Sequence, residues 1–391
     1  MMFSFRNPTT NNIMRIKYFF VAIIIGLFIS SCQKPAENVS AKGNKPIIVG
    51  YVPGFRGELD ESMIDPNKLT HINYAFVDVK DSMAWLTNLA TDTINFRKLN
   101  RLKDVNPDLK ILISIGGWSW SENFSDAVLT ESSRIKFAET SAAIVEQNDL
   151  DGVDIDWEYP GMKGQDNIFR LEDKENFTLM FKAIREALNV LTDKTGKSYE
   201  VTTALPCFPR IFEVTEMGKA AEYLDYVNLM AYDFYTSGDT AGHHSNLYPV
   251  ENYEKEESGD KAYALYTAAG VPSEKLVLGI PFYGRSWFMT TGDNRGINRP
   301  VDSVARGGGF TEIKDSIMTR PGFTRYWDEK AQGPYLWNAD TRQLLTYDDE
   351  ESVKIKCEYV KAKGMAGIMF WQYASDPKEY LLTAANEHLY K

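Results

Sequence analysis

The chain has 391 residues, 43% hydrophobic and 25% charged, an ordinary globular composition whose length fits one large unit or several small domains. A net charge of -11 and a pI near 5.1 exclude the basic surface that a nucleic-acid partner requires. Three cysteines exclude a disulfide framework, while 21 Tyr, 21 Phe and 8 Trp suit a core rich in rings and flat, weakly polar ligands such as sugars.

Arg15 and Lys17 precede the apolar run YFFVAIIIGLFIS, which is short for a membrane span and fits the core of an export signal. It ends in ISSC, small residues directly before Cys32. This layout resembles a bacterial lipoprotein signal. The resemblance implies a signal over 1–31, lipidation of Cys32, and an exported protein held to a membrane, at the cell surface or facing the periplasm. Met14 competes with Met1 as the start, because the residues before it lack signal character. Residues 32–45, largely QKPAENVSAKGNK, read as a polar tether. Cys357 lies at helical spacing between Val353 and Val360, so a packing role is expected. With 4 His and no ligand-like spacing, neither a metal nor another cofactor is expected, and His243-His244 falls in a loop-like stretch.

From residue 46 onward, eight short apolar runs recur: PIIVGYV, LTHINYAFV, KILISIGGW, GVDIDW, YEVTTALP, YVNLMAYDF, KLVLGIPFYG and MAGIMFWQY. Near-continuous apolar runs fit strands buried on both faces of a parallel sheet. Helical patterns lie between several of them. One is ESSRIKFAETSAAIVEQND; another sets Phe177, Met180, Phe181, Ile184, Leu188 and Leu191 on one face, with Gly196 near its end. Eight strands with interleaved helices predict a (β/α)8 TIM barrel over 46–391. A doubly wound sheet is the alternative, but no glycine-rich phosphate fingerprint follows the first strand. Residues 286–348 are far too many for a βα loop and predict a small inserted α+β subdomain between strand 7 and the last helix. PYLWNADTRQLLTYDD reads as a hairpin within it, and that helix is expected from Asp348-Asp349 to about Gly364.

The fourth strand carries the chemistry. In DGVDIDWE, Asp154, Asp156 and Glu158 alternate with Val153, Ile155 and Trp157. Alternation places the three acids on one face of a strand. A half-exposed strand would hold them in water, but a barrel strand is buried on both faces. The acids therefore point inward, where uncompensated carboxylates cost several kcal/mol each, so at least one is expected to keep a proton near neutral pH. Glu158 comes last, nearest the C-terminal mouth where barrel active sites lie, and a protonated carboxyl there is suited to general acid catalysis.

DGVDIDWE resembles the D-G-x-D-x-D-x-E signature of glycoside hydrolase family 18, the chitinases and their relatives. SIGGW (114–118), MAYD (230–233), GIPFYGRSW (279–287) and GIMFWQY (367–373) resemble further strand-end motifs of that family in the same order. The resemblance implies a retaining hydrolase of β-1,4-linked N-acetylglucosamine in chitin or chito-oligosaccharides, with the substrate's acetamido group as nucleophile and no cofactor. Glu158 becomes the acid and base, Asp156 the group that orients the acetamide, Asp154 its proton-sharing neighbour, and Tyr232 a donor to the acetamide oxygen. Trp371 becomes the sugar floor, with Met230 and Asp233 shaping the pocket. Arg285 resembles a sugar-contacting arginine, and Trp118 and Trp120 are platforms on the leaving-group side. Tyr51 and Tyr159 are expected to face the cleft; Gly116 and Gly117 are expected to allow tight backbone approach at the strand end, with Gly117 a further candidate binding position. Trp287 and Trp337 divide between cleft wall and subdomain core. The expected partners are these sugars and a membrane bound through the lipid, the protein being a monomer. An endo-β-N-acetylglucosaminidase of N-glycan cores and a non-catalytic chitin-binding relative are the alternatives.

Overall fold

The computed structural model describes residues 45–391; the signal, Cys32 and the tether up to 44 lie outside the described residues. Eight parallel strands follow the eight apolar runs: β1 Ile47–Pro53, β2 His71–Lys80, β3 Lys110–Gly116, β4 Gly152–Asp156, β5 Glu200–Pro206, β6 Tyr226–Met230, β7 Leu276–Pro281 and β8 Gly367–Trp371. Each pairs with the next, and β8 pairs back onto β1, so the sheet closes into a (β/α)8 barrel. The expected fold class is correct.

The helices follow the periodic segments: α1 Leu89–Arg101, α2 Glu131–Gln147, α3 Asp173–Thr195, α4 Gly259–Ala268, α5 Glu350–Lys363 and α6 Tyr380–Tyr390. Phe177, Met180, Phe181, Ile184, Leu188 and Leu191 of α3 are all buried. Each such burial contributes roughly 1.5–3 kcal/mol. The helix stops at Gly196, whose φ of 74° is the left-handed conformation glycine adopts without strain. Asp349 caps α5 in a reciprocal capping box with Ser352. This helix ends at Gly364 but is not the last, because α6 follows β8.

Between β7 and α5 the chain builds an antiparallel sheet from Arg285–Met289, Arg299–Ala305, Phe323–Asp328, Gly333–Asn338 and Gln343–Thr346. Its outer edge at Arg299–Ala305 is extended by Thr240–Ala241, which comes from the loop after β6. Trp287 and Trp337 are 1% and 6% exposed and pack in the core of this part, so neither forms a cleft wall.

The barrel holds two distinct packing layers. Val153, Ile155 and Trp157 join the large apolar core between strands and helices. Inside the barrel, Ile47, Val49, Val277 and Met369 fill a small apolar core beside Tyr51, Ala75 and Ala204. The inward face of β4 is thus left for Asp154 and Asp156, and Glu158 follows one residue beyond Trp157 at the C-terminal mouth.

Candidate active site

A cleft of ≈ 1310 Å³ opens at the C-terminal ends of the strands, where parallel barrels assemble their sites. Of the residues singled out in the sequence, Asp156, Glu158, Tyr159, Trp118, Trp120, Met230, Tyr232, Asp233, Arg285 and Trp371 all line it. They are brought from the ends of β3, β4, β6, β7 and β8.

Three of the expected positions differ in detail. Tyr51 does not face the cleft. β1 continues past it to Pro53, so Tyr51 sits lower in the interior, buried, with its hydroxyl donating to Asp154 Oδ2 at 2.8 Å. Gly117 is not a lining residue either: its N–H donates to the Asp156 carbonyl at 2.7 Å, and a Cβ there would meet the Phe76 ring at 2.5 Å. Its φ of 82° makes the position strained for any other residue. Arg285 reaches the cleft, but its guanidinium is committed to Asp233, with Nε to Oδ1 at 2.8 Å and Nη2 to Oδ2 at 2.6 Å.

The three acids of β4 occupy three different settings. Asp154 is fully buried and accepts hydrogen bonds from Tyr51 at 2.8 Å, Ser114 at 2.8 Å, Thr202 at 2.6 Å and Asn228 at 3.3 Å. Its partners are hydroxyls and an amide; the proton-sharing contact expected with Asp156 is not among them, because these four donors occupy the carboxylate. Burial raises its pKa while they hold it down. Asp156 is also buried, and its Oδ1 has no hydrogen-bond partner. Burial, then the charges of Glu158 and Asp154, push its carboxyl well above the usual range. Glu158 opens partly onto the cleft and is pushed up to about 7, chiefly by desolvation and further by the Asp233 charge, with the Tyr159 hydroxyl pulling the other way. The Asp156–Glu158 pair therefore holds a proton at neutral pH, above the hydrogen-bonded network of Asp154. Asp233 is the opposite case: although burial disfavours its charge, His244 and Arg285 hold it well below the carboxylate range.

Aromatic rings form the floor and one end of the cleft. Trp371 stacks on Phe76 with centroids 5.5 Å apart and an interplanar angle of 17°, and tilts against Tyr51 at 5.7 Å. Trp118 is 50% exposed beside Tyr159, and Phe55, 49% exposed, stacks on Phe76. A floor of ring faces with polar groups above it matches a sugar, whose C–H faces pack on rings while its hydroxyls and amides take hydrogen bonds. Among the described residues no cluster of His, Cys, Asp and Glu has the arrangement of a metal site.

A family model described as glycosyl hydrolases family 18 matches residues 47–376. The chain belongs to this family. It is 33% identical to chitinase A1 of Niallia circulans over 92% of its own length, and spans 61% of that relative. It is also 33% identical to mouse chitotriosidase-1 over 79% of this chain and 67% of that one. Among solved structures, a family 18 N-acetylglucosaminidase from Paenibacillus barengoltzii superposes with a TM-score of 0.82 at 40% identity, covering 88% of this chain and all of that one.

Several cleft residues escaped the sequence reading. Phe76 lies in β2 and Phe208 follows β5, where ring-rich apolar runs give no hint of which ring turns to the mouth. Tyr283, within the GIPFYGRSW motif, lines the cleft beside Tyr232, with centroids 6.3 Å apart. His244, expected as loop, lies behind the lining: it is fully buried with Nδ1 3.4 Å from Asp233 Oδ1. Its position in an aperiodic loop leaves no pattern to find.

Proposed function

We propose that the protein is a retaining glycoside hydrolase that cleaves β-1,4-linked N-acetylglucosamine in chitin or chito-oligosaccharides. The observation that carries this reading is the place of Glu158: a carboxyl lining the cleft at the C-terminal end of β4, above the buried Asp156 of the same strand, where desolvation pushes it up to about 7. Asp233, the other acid at the strand ends, is locked to Arg285. Among the acids at the strand ends Glu158 is the proton donor, Asp156 lies beneath it on the same strand and Asp233 is paired, an arrangement unlike the two-carboxylate scheme of most glycosidases, while Glu254, Glu256 and Glu257 line the cleft from the loop before α4. A nucleophile carried by the substrate fits this geometry.

In the proposed reaction Glu158 gives its proton to the glycosidic oxygen as the bond from that oxygen to C1 breaks. The carbonyl oxygen of the 2-acetamido group bonds to C1 and yields a cyclic oxazolinium ion. With the single proton of the pair on Glu158 at the start of the reaction, Asp156 is the carboxylate whose unpaired Oδ1 accepts the amide N–H and offsets the developing positive charge. Tyr232 donates to the acetamide oxygen and orients it. Glu158, now a carboxylate, takes a proton from water as that water adds to C1 and the ring reopens. Two displacements leave the anomeric configuration retained.

The test is a product profile on N-acetylglucosamine oligomers, a high-mannose glycoprotein and fully deacetylated chitosan. Oligomers cut to β-anomers with chitosan intact are expected. Efficient chitosan hydrolysis would mean that a protein carboxylate attacks C1, and release of N-glycans with oligomers untouched would point to a chitobiose-core endoglycosidase. We also propose a monomer anchored to a membrane through lipid on Cys32, on the strength of the signal-like sequence around ISSC. Cys32→Ala should move the protein from the membrane to the soluble fraction; unchanged membrane association would refute the anchor.

A further inference from the structure

We propose that His244 is a positioning residue: it holds the Asp233 carboxylate, together with Arg285, in the setting through which that carboxylate biases the protonation of Glu158. The inference rests on the acid–base role given to Glu158 above and concerns a residue outside every motif of the site.

His244 is 0% exposed, and neither ring nitrogen has a hydrogen-bond partner of good geometry. A buried imidazole without partners costs about 1–3 kcal/mol, so its setting calls for a reason. Its nearest polar neighbour is Asp233 Oδ1, 3.4 Å from Nδ1, and its ring lies against Tyr283 with centroids 5.5 Å apart. The backbone reinforces the pairing, since the N–H of Phe234, next to Asp233, donates to the His244 carbonyl at 3.1 Å.

The residues on either side of His244 are anchored. His243 Nε2 lies 3.3 Å from Asp328, which also accepts from Tyr253 at 3.0 Å. Ser245 donates to Asp348 at 2.7 Å, and its carbonyl accepts from Lys356 at 2.7 Å. Fixed at both neighbours, the imidazole has little freedom to leave Asp233.

The charged and titratable groups around it come from every packed element. They are Asp233 after β6, Tyr283 and Arg285 after β7, and Asp348 before α5, itself neutralised by Lys356 at 2.7 Å. Burial, opposed by Asp233, holds the imidazole below its ordinary pKa, so it is neutral at pH 7. We place its proton on Nδ1, the nitrogen 3.4 Å from the carboxylate. A neutral donor orients Asp233 and offsets part of its charge without cancelling it. That remaining charge is one of the causes that raise Glu158.

The experiment compares His244→Phe, which keeps a ring but no donor, with His244→Asn, which keeps a donor but cannot ionise. With Asp233 less offset, the alkaline limb of kcat in the Phe variant should move up by roughly half a pH unit, and the Asn variant should stay with the wild type. Identical limbs in all three proteins, or equal shifts in both variants, would overturn the inference. Independently of turnover, ¹⁵N spectra of the wild type should show one imidazole, absent in His244→Asn, held as the neutral Nδ1–H tautomer at pH 7 and displaced in Asp233→Asn. A protonated His244 at pH 7, or one blind to Asp233→Asn, overturns the inference even if the Phe variant does not fold. Failure of the wild type to cut any oligomer counts against the proposed function alone.

Discussion

Glu158→Gln should cost activity and return stability, and the two effects should separate by pH. Desolvation pushes the carboxyl up to about 7 in the fold, from 4.5 when unperturbed. A carboxyl whose folded value is raised stabilises the fold only while it keeps its proton. Its contribution is fully present below pH 4.5 and is lost as the pH climbs to 7. At 1.36 kcal/mol per pH unit this amounts to about 3 kcal/mol, reduced to roughly 1–3 kcal/mol because the side chain opens partly to solvent. The amide of Gln cannot ionise, so the variant escapes this penalty. Its Tm should exceed that of the wild type by a few degrees at pH 8 and match it at pH 4.5. Loss of the general acid should lower kcat by about 10²–10⁴ at pH 4.5 and by about tenfold less at pH 8, where most wild-type Glu158 has lost its proton, while binding of N-acetylglucosamine oligomers persists. Scanning calorimetry at the two pH values, with initial rates on a chromogenic oligomer, reads both effects. A variant equally stable at pH 8 and pH 4.5 relative to wild type, or one within tenfold of normal turnover at pH 4.5, would refute the reasoning.

Asp233→Asn removes a charge that raises Glu158 and leaves the Arg285 cation beside it, so the alkaline limb of the rate profile should fall below pH 7; an upward shift contradicts the electrostatic account. Tyr51→Phe strips one of four donors from the buried Asp154 and should cost about 1–3 kcal/mol in denaturant unfolding, with an unchanged midpoint arguing that the network is not worth its burial. Trp371→Ala removes the ring that stacks on Phe76 under the sugar, and oligomer binding measured by calorimetry should weaken at least tenfold; unaltered affinity would place the floor elsewhere.

The barrel was legible because strands buried on both faces write uninterrupted apolar runs, and each of the eight runs marks its strand. The acids of β4 were legible for a related reason: period two survives in GVDID, so one face had to be wholly apolar and the other wholly acidic. Depth along the barrel was harder to read. Alternation says that Tyr51 points inward but not that β1 runs on to Pro53, which lowers Tyr51 to the level of Asn73. Pairing between distant acids was equally hidden. Nothing in spacing distinguishes an Asp154 that shares a proton from one already saturated by Ser114, Thr202, Asn228 and Tyr51. His244 shows the limit most sharply, because a loop residue acquires its neighbours only when β6, β7 and α5 converge.

The two-residue strand Thr240–Ala241 has a consequence for how such enzymes diversify. It belongs to the segment that carries Asp233 and His244, yet it pairs with Arg299 and Pro300 at the start of the outer strand of the inserted sheet. Excising the insertion would uncouple that segment from its anchor, and transplanting the insertion alone would present an unpaired strand edge to other chains. Recombination that respects function must therefore exchange the two as one cassette, although more than forty residues of barrel lie between them in the sequence.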